Sequence, residues 1–328
     1  MEYSFSMATS YMKAAVVQGP SRVSLARVAV PQPERDEVRV RIEGCGVCGS
    51  NLAPWEGRPW FKYPFAPGEL GHEGWGRVDA VGPQANQYQP GDLVAFLSYH
   101  AYAEFDIARE NAVVKIPESL AGQPFPGEAL GCSMNVFRRC AIQSGQTVAV
   151  IGVGFLGALL VALSARAGAK VLAISRRPFA LSLARTLGAS VVLPLDPSEA
   201  VVQEVKALTG GAGCDCVIEA VGQQTTLDLA TELTRERGRL VIAGYHQDGP
   251  RQVNLQLWNW RGLDVINAHE RDPEVYRQGI EAAVDVVAKG ELNPFPLYTH
   301  TFSLEQLDLA FEAMRQRPDS FLKALVIL

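Results

Sequence analysis

Cysteine is scarce. Six residues in a chain of 328 are too few for a disulfide scaffold, which points to a reducing compartment and an expected cytoplasmic location. Long apolar runs are missing as well. The longest, around residues 155–165, falls well short of the ~20 residues a spanning helix needs, so no membrane contact is expected. Residues 1–12 lack the apolar core of a secretory signal and read as a lead-in. Neither sign of charge dominates: 30 Lys and Arg against 35 Asp and Glu leave −5. That offers no broad field for nucleic-acid phosphates or anionic lipid. No repeat or low-complexity stretch is present, and 30 Gly plus 20 Pro stay below the level that marks disorder. What remains is ample apolar material, 48% of the chain, and a length suited to about two domains.

The two parts of the chain differ in texture. Most prolines lie before residue 131, among short β-rich runs such as 37–42 and 93–97. Pro and Gly punctuate the loops between them, which predicts an irregular β-rich domain. From Thr147 onward, apolar strands alternate with helical stretches. The strands are expected at 147–151, 170–175, 191–195, 214–219, 239–245 and 263–268. Helices are expected at 155–167, 178–187, 197–208 and 225–234. This alternation predicts an α/β Rossmann fold, a doubly wound parallel sheet with helices on both faces. Near the end, a strand at 297–302, a helix at 304–315 and a buried strand at 322–328 are expected. The division reads as 1–133 with 270–328 for the β-rich domain and 134–269 for the dinucleotide domain.

Gly152-Val-Gly154-Phe155-Leu156-Gly157 follows the strand at 147–151 and opens a helix. The first glycine permits a tight turn, the second lets backbone approach a pyrophosphate, and the third lets helix pack on strand. The helix N-terminus then offers free N–H groups to the phosphates. Ser175-Arg176-Arg177 ends the second strand, where an NAD site would place Asp or Glu for the ribose hydroxyls. A hydroxyl and two guanidiniums suit a 2′-phosphate instead, so NADP(H) is the expected cofactor. Phe155, Leu156 and Ala243 complete the cofactor-binding set.

Cys48, His72 and Cys132 stand singly along the chain. Thiolate and imidazole are zinc ligands, and three protein ligands with an open fourth position make a catalytic site; separately, a buried Cys is usually a small hydrophobe. Cys45 and Cys48 form a Cys-x-x-Cys without the βαβ context of a redox pair. Cys140, Cys214 and Cys216 read as packing residues. The order of motifs is more specific. It runs Gly46-Val-Cys48-Gly-Ser50, Gly71-His72-Glu73-Gly74, Pro90-Gly91-Asp92-Leu-Val, Tyr102-Ala-Glu104-Phe, Gly131-Cys132 and the Gly152–Gly157 turn. With these, the chain from about Met12 to Leu328 resembles the medium-chain dehydrogenase/reductase family, of the zinc-dependent alcohol and polyol dehydrogenase type. Trp55-Glu-Gly-Arg58 looks closest to the polyol branch.

The resemblance implies a GroES-like catalytic domain, completed by the C-terminal segment, around an inserted Rossmann domain. It implies one catalytic zinc on Cys48, His72 and Cys132, with Glu73 able to enter the coordination sphere. Ser50 would receive the proton of the alcohol. Lys323 falls where the family puts a cation near the cofactor phosphate or beside the zinc ligands. Three departures stand out. Asn51 replaces a common Asp, which removes an anion near the metal and should make the substrate hydroxyl more acidic. Ala53 replaces a relay His. The four-cysteine lobe of a structural zinc is absent, so the chain passes from Leu97 to Tyr102 with His100 as a pocket-lining candidate. His246 and His269 follow Rossmann strands and are candidates to border the nicotinamide; Trp258-Asn-Trp260 suits a pocket wall or a subunit contact. The expected activity is hydride transfer between NADP(H) and a small-molecule secondary alcohol or polyol, or its ketone, in a homodimer or homotetramer. Two rivals stand beside it: a metal-free enone or quinone reductase of the same fold, and a non-catalytic NADPH-binding regulatory protein.

Overall fold

The computed structural model describes residues 10–328; the reading of a lead-in falls largely on residues 1–9, outside the described residues. The chain begins with strands β1 (Tyr11–Gly19), β2 (Arg22–Ala29) and β3 (Glu37–Val47) and the short helix α1 (Leu52–Glu56). Strands β4 (Gly74–Val81), β5 (Leu93–Phe96), β6 (Phe105–Arg109) and β7 (Val113–Lys115) follow. Helix α2 (Gly127–Cys140) leads into β8 (Thr147–Ile151), α3 (Phe155–Arg166), β9 (Lys170–Ser175), α4 (Pro178–Thr186), β10 (Val191–Pro194) and α5 (Ser198–Leu208). Then come β11 (Cys214–Glu219), α6 (Gln224–Leu233), β12 (Thr234–Ile242), α7 (Leu255–Arg261) and β13 (Asp264–Asn267). The last elements are α8 (Pro273–Ala288), β14 (Tyr298–Ser303), α9 (Leu307–Gln316) and β15 (Lys323–Ile327). No described helix is long and apolar enough to cross a membrane. The six cysteines form no disulfide.

Two compact units result. One runs up to Glu128 and takes back His300–Gln316 and Ala324–Leu328; the other holds Ala129–Thr299 and Arg317–Lys323. In the first, β15, β3, β4, β5 and β7 pair in that order, and β6 pairs with β3. β3 alternates buried and more exposed side chains from Glu37 to Glu43, then stays buried from Gly44 to Val47. Its last turn therefore leads into the interior, where Cys48 begins.

The second unit carries a six-stranded parallel sheet in the order β10-β9-β8-β11-β12-β13. Its central strands β8 and β9 are nearly continuous apolar, buried runs, as expected of a parallel sheet covered by helices on both faces. The order reverses direction between β8 and β11. Ligands of such sheets bind at that switch point, outside the carboxyl ends of the strands.

β8, β9 and β11 lie where the apolar runs place them. β12 differs: it starts at Thr234, its register against β11 shifts between Cys214 and Cys216, and it stops at Ile242. Beyond that point the Ala243 and Gly244 N–H groups both turn onto the Glu219 carbonyl, at 2.8 and 2.7 Å. Helices α2 and α8 are also additions to the expected set. Glycine disguises them, because they cross at Gly131 and Gly279. A Cβ on Gly131 would lie 2.7 Å from Ile280 N, and one on Gly279 would lie 2.6 Å from Gly131 O. The Asn135 amide donates to the Val275 carbonyl at 2.9 Å across the same crossing. This contact puts residues 270–299, expected with the β-rich domain, in the second unit.

Candidate functional site

The ligand atoms of Cys48, His72 and Glu73 lie within 4.8 Å of one another. Cys48 leaves β3 in extended conformation and caps the one-turn helix Gly49–Asn51. Its N–H donates to Asn51 Oδ1 at 3.2 Å, and the Asn51 N–H donates to the Cys48 carbonyl at 3.0 Å. Asn51, only 2% exposed, also accepts the Tyr102 hydroxyl at 3.0 Å and donates from Nδ2 to the Leu70 carbonyl at 2.9 Å. His72 Nδ1 lies 2.9 Å from that same carbonyl. With the ring proton there, Nε2 is left as the ligand nitrogen.

The glycines around this group are space for it. A Cβ on Gly46 would come within 1.8 Å of Glu73 Oε2, so the buried carboxylate occupies the volume that a larger residue would fill. A Cβ on Gly71 would reach 2.4 Å from Tyr102 N, and one on Gly74 would lie 2.8 Å from the Ala101 and Phe96 side chains. The Gly-His-Glu-Gly motif is thus pressed flat against residues 96–102.

Burial pulls the His72 pKa down. The charge of the Cys48 sulfur and its hydrogen bond, with Glu128 and Glu73 adding to them, outweigh burial and push it up to about 10. Sulfur, imidazole and carboxylate at this spacing are a donor set zinc takes, so the residues fit the metal. Ser50 is half-buried on the same turn. Cys132 is half-buried on α2, in the second unit, and is not one of the three clustered residues.

Asn51 changes the expectation attached to it. Its Nδ2–H is used by the Leu70 carbonyl, a bond that Asp cannot make, so the amide is chosen by the backbone facing it. Trp55, which opens the Trp55–Arg58 stretch that resembles the polyol branch, is a core anchor: it is 3% exposed, packs on Phe311 at 5.7 Å, and donates to Asp308 Oδ1 at 2.9 Å. The Tyr99 ring lies 6.3 Å from the His72 ring and is 69% exposed, and His100 is exposed beside it.

In the second unit Gly152 has φ +94°, a conformation that favours glycine. A Cβ on Gly157 would lie 1.9 Å from Gly152 O, whereas one on Gly154 would meet nothing within 4 Å. The outer glycines are therefore needed by the turn itself, and the middle one leaves open space at the start of α3. That is the cradle a pyrophosphate requires.

Ser175 ends β9, 6% exposed. Arg177 bonds the Phe321 carbonyl through Nη1 and the Val153 carbonyl through Nη2 at 3.3 Å; its partial burial lowers its pKa. Arg176 is the outward arginine, with 56% of its side chain exposed. Lys323 is 4% exposed with Nζ 5.1 Å from the Phe155 ring centre. Its strand lies between β14 and β3 in the sheet order, so it is not an edge residue. Ala243 is buried at the end of β12.

Motif reading passed over Glu219. Its buried carboxylate accepts the Val221 and Gly222 N–H groups and the Thr226 hydroxyl, each at 2.8 Å, and lies 3.1 Å from His246 Nε2. Arg251 Nε donates to His246 Nδ1 at 2.9 Å. His246 is therefore held inward, and His269 Nε2 lies 3.1 Å from the Gly244 carbonyl. Trp258 Nε1 donates to Thr231 Oγ1 at 3.0 Å, while Trp260 is 84% exposed. The one available sign of Glu219 was an acidic residue closing an apolar strand.

Residues 34–159 match the alcohol dehydrogenase GroES-like domain, and residues 156–285 match the zinc-binding dehydrogenase domain. With these two domains joined in one chain, the protein belongs to the zinc-dependent medium-chain dehydrogenase/reductase family of oxidoreductases. Sorbitol dehydrogenase of Bacillus subtilis is 27% identical over 347 residues, which cover 96% of this chain and 97% of that protein. A Sinorhizobium meliloti chain, described as a zinc-binding dehydrogenase and bound to NADP, has a TM-score of 0.83 at 25% identity, covering 97% of this chain and 100% of its own. An Escherichia coli alcohol dehydrogenase complexed with NADH has a TM-score of 0.87 at 23% identity, again over 97% and 100%. The fold by itself does not choose between the two dinucleotides.

Proposed function

We propose that the chain is a zinc- and NADP(H)-dependent oxidoreductase acting on a secondary alcohol, polyol or cyclic polyol, or on the corresponding ketone. The observation that carries this is the Cys48–His72–Glu73 group, with His72 Nδ1 on the Leu70 carbonyl and Nε2 left to ligate. Polyols are favoured because the Bacillus subtilis relative is named a sorbitol dehydrogenase. The donor set weighs against the metal-free reductase.

Cys48 and His72 would hold the metal, with Glu73 in reach of it. When bound, zinc supplies Lewis acidity at a carbonyl or carbinol oxygen, and the nicotinamide gives or takes the hydride. Ser50 would relay the carbinol proton, accepting it at Oγ while passing its own hydroxyl proton to water or a ribose hydroxyl, since Ala53 stands where a relay His could have taken it. Asn51 and Tyr102 fix the turn that carries both Cys48 and Ser50. In the second unit the Gly152–Gly157 turn seats the pyrophosphate, and Ser175 and Arg176 meet the 2′-phosphate.

Turnover against a panel of alcohols, polyols and ketones, with bound metal quantified, tests the reading. Cys48→Ser and His72→Ala should abolish turnover and leave dinucleotide binding intact. Cys132→Ser in the same assay tests the third ligand that the family pattern implies. Full activity in a metal-free preparation would refute the zinc mechanism. Arg176→Ala should weaken NADPH by about 10- to 150-fold, the worth of a charge-assisted hydrogen bond, and leave NADH nearly unchanged. Ser175→Asp should reverse the preference by repelling the 2′-phosphate.

A further inference from the structure

Arg176 is already engaged. Its Nε lies 3.6 Å from Asp196 Oδ2, and its Nη2 donates to Gln223 Oε1 at 3.3 Å. Arg176 follows β9, Asp196 follows β10, and Gln223 directly precedes α6 in the loop after β11. All three stand at the carboxyl ends of parallel strands, the end of such a sheet that binds ligands. Arg177 is turned onto the Phe321 and Val153 carbonyls, so Arg176 is the arginine left for a 2′-phosphate. The carboxylate facing it carries the same sign of charge as that phosphate.

We propose that Asp196 is a specificity-determining residue of this pocket: it holds Arg176 when no 2′-phosphate is present, competes with the phosphate for the guanidinium, and so limits the preference for NADP(H) over NAD(H). The inference rests on the NADP(H) reading and deepens it. With the Arg176 and Asp196 side chains 56% and 73% exposed, water and salt weaken their attraction. A phosphate dianion, with more charge and three acceptor oxygens, therefore displaces the carboxylate at a measurable cost to its own binding. Gln223 is neutral and holds Arg176 from a second direction without competing for its charge. The arginine should stay oriented when Asp196 is neutralised. A short polar loop residue thus acts as a counterweight to the arginine.

Dissociation constants of the full chain for NADPH and NADH, read by cofactor fluorescence, test this in wild type, Asp196→Asn, Arg176→Ala and the double variant. Asp196→Asn should tighten NADPH by about 1.5- to 5-fold, the worth of an exposed ion pair, with NADH unchanged. In the Arg176→Ala background the gain should vanish. An unchanged NADPH affinity in Asp196→Asn overturns the proposal, and so does a gain that survives in the double variant. A wild type that binds both dinucleotides alike would defeat the NADP(H) reading. A gain in Asp196→Asn would still support competition in that case, and no gain would overturn both.

Discussion

Asn51 and His72 are tied to one carbonyl: Leu70 O accepts the Asn51 Nδ2–H at 2.9 Å and lies 2.9 Å from His72 Nδ1. Leu70 itself has φ +80°, a left-handed conformation that a branched side chain rarely adopts. A strained backbone residue therefore sets both the turn that carries Cys48 and the nitrogen that His72 presents. The two proposed zinc ligands are coordinated with each other before any metal arrives.

Asn51→Asp, though it restores the residue common in the family, should harm this chain. Its carboxylate can still accept the Cys48 N–H and the Tyr102 hydroxyl, but it faces the Leu70 carbonyl with no proton to donate. Burying that mismatch should cost about 1–3 kcal/mol, read as a lower melting temperature and as reduced zinc occupancy. An unchanged melting temperature would show that the Leu70 bond contributes nothing.

Gly46→Ala should act on Glu73. The new Cβ would overlap the carboxylate, at 1.8 Å from Oε2, and overpacking of this kind costs about 1–3 kcal/mol. Shortening the partner should relieve it, so Gly46→Ala with Glu73→Ala should be more stable than the sum of the single changes predicts. A double-mutant cycle by denaturant unfolding measures that coupling. Additive effects would mean that the glycine serves something else.

The raised His72 pKa predicts opposite pH trends with and without metal. Its folded value, about 10, lies above the unfolded value of about 6.5. The stability that this proton gives metal-free protein is complete below pH ~6.5 and is lost as pH rises through about 10. Zinc must displace the same proton, so its affinity should climb over that window. Melting curves of chelated protein, and calorimetric zinc titrations in two buffers, report the two trends. His72→Gln should flatten the first.

The parallel sheet was legible because its strands are buried on both faces and so appear as short apolar runs. Helices α2 and α8 were not, because the glycines that let them cross also lower their helical signal. The same division holds at the site. Cys48 and His72 carry their chemistry in their side chains and stand out in motifs. Asn51 looked like a lost anion because its partner is a backbone carbonyl, which leaves no mark on the sequence. Arg177 looked interchangeable with Arg176 for the same reason: it is taken up by a carbonyl at Phe321, far along the chain. Side-chain types announce what a residue can do, and backbone partners decide which of those things it does.

Arg177 and Arg176 should therefore separate in one experiment. Arg177 joins the Val153 carbonyl, inside the glycine turn, to the Phe321 carbonyl, and its guanidinium is partly buried. Arg177→Ala removes charge-assisted hydrogen bonds and leaves both acceptors to find new donors, a loss of about 1–3 kcal/mol in stability. Because Val153 sits between Gly152 and Gly154, the damage should fall on the pyrophosphate cradle that every dinucleotide uses. NADPH and NADH should weaken together, with their ratio unchanged. Arg176→Ala should do the reverse, leaving the melting temperature alone and lowering affinity for NADPH only. If Arg177→Ala alters the ratio of the two dissociation constants as much as Arg176→Ala does, both arginines serve the 2′-phosphate, and the structural role assigned to Arg177 is wrong.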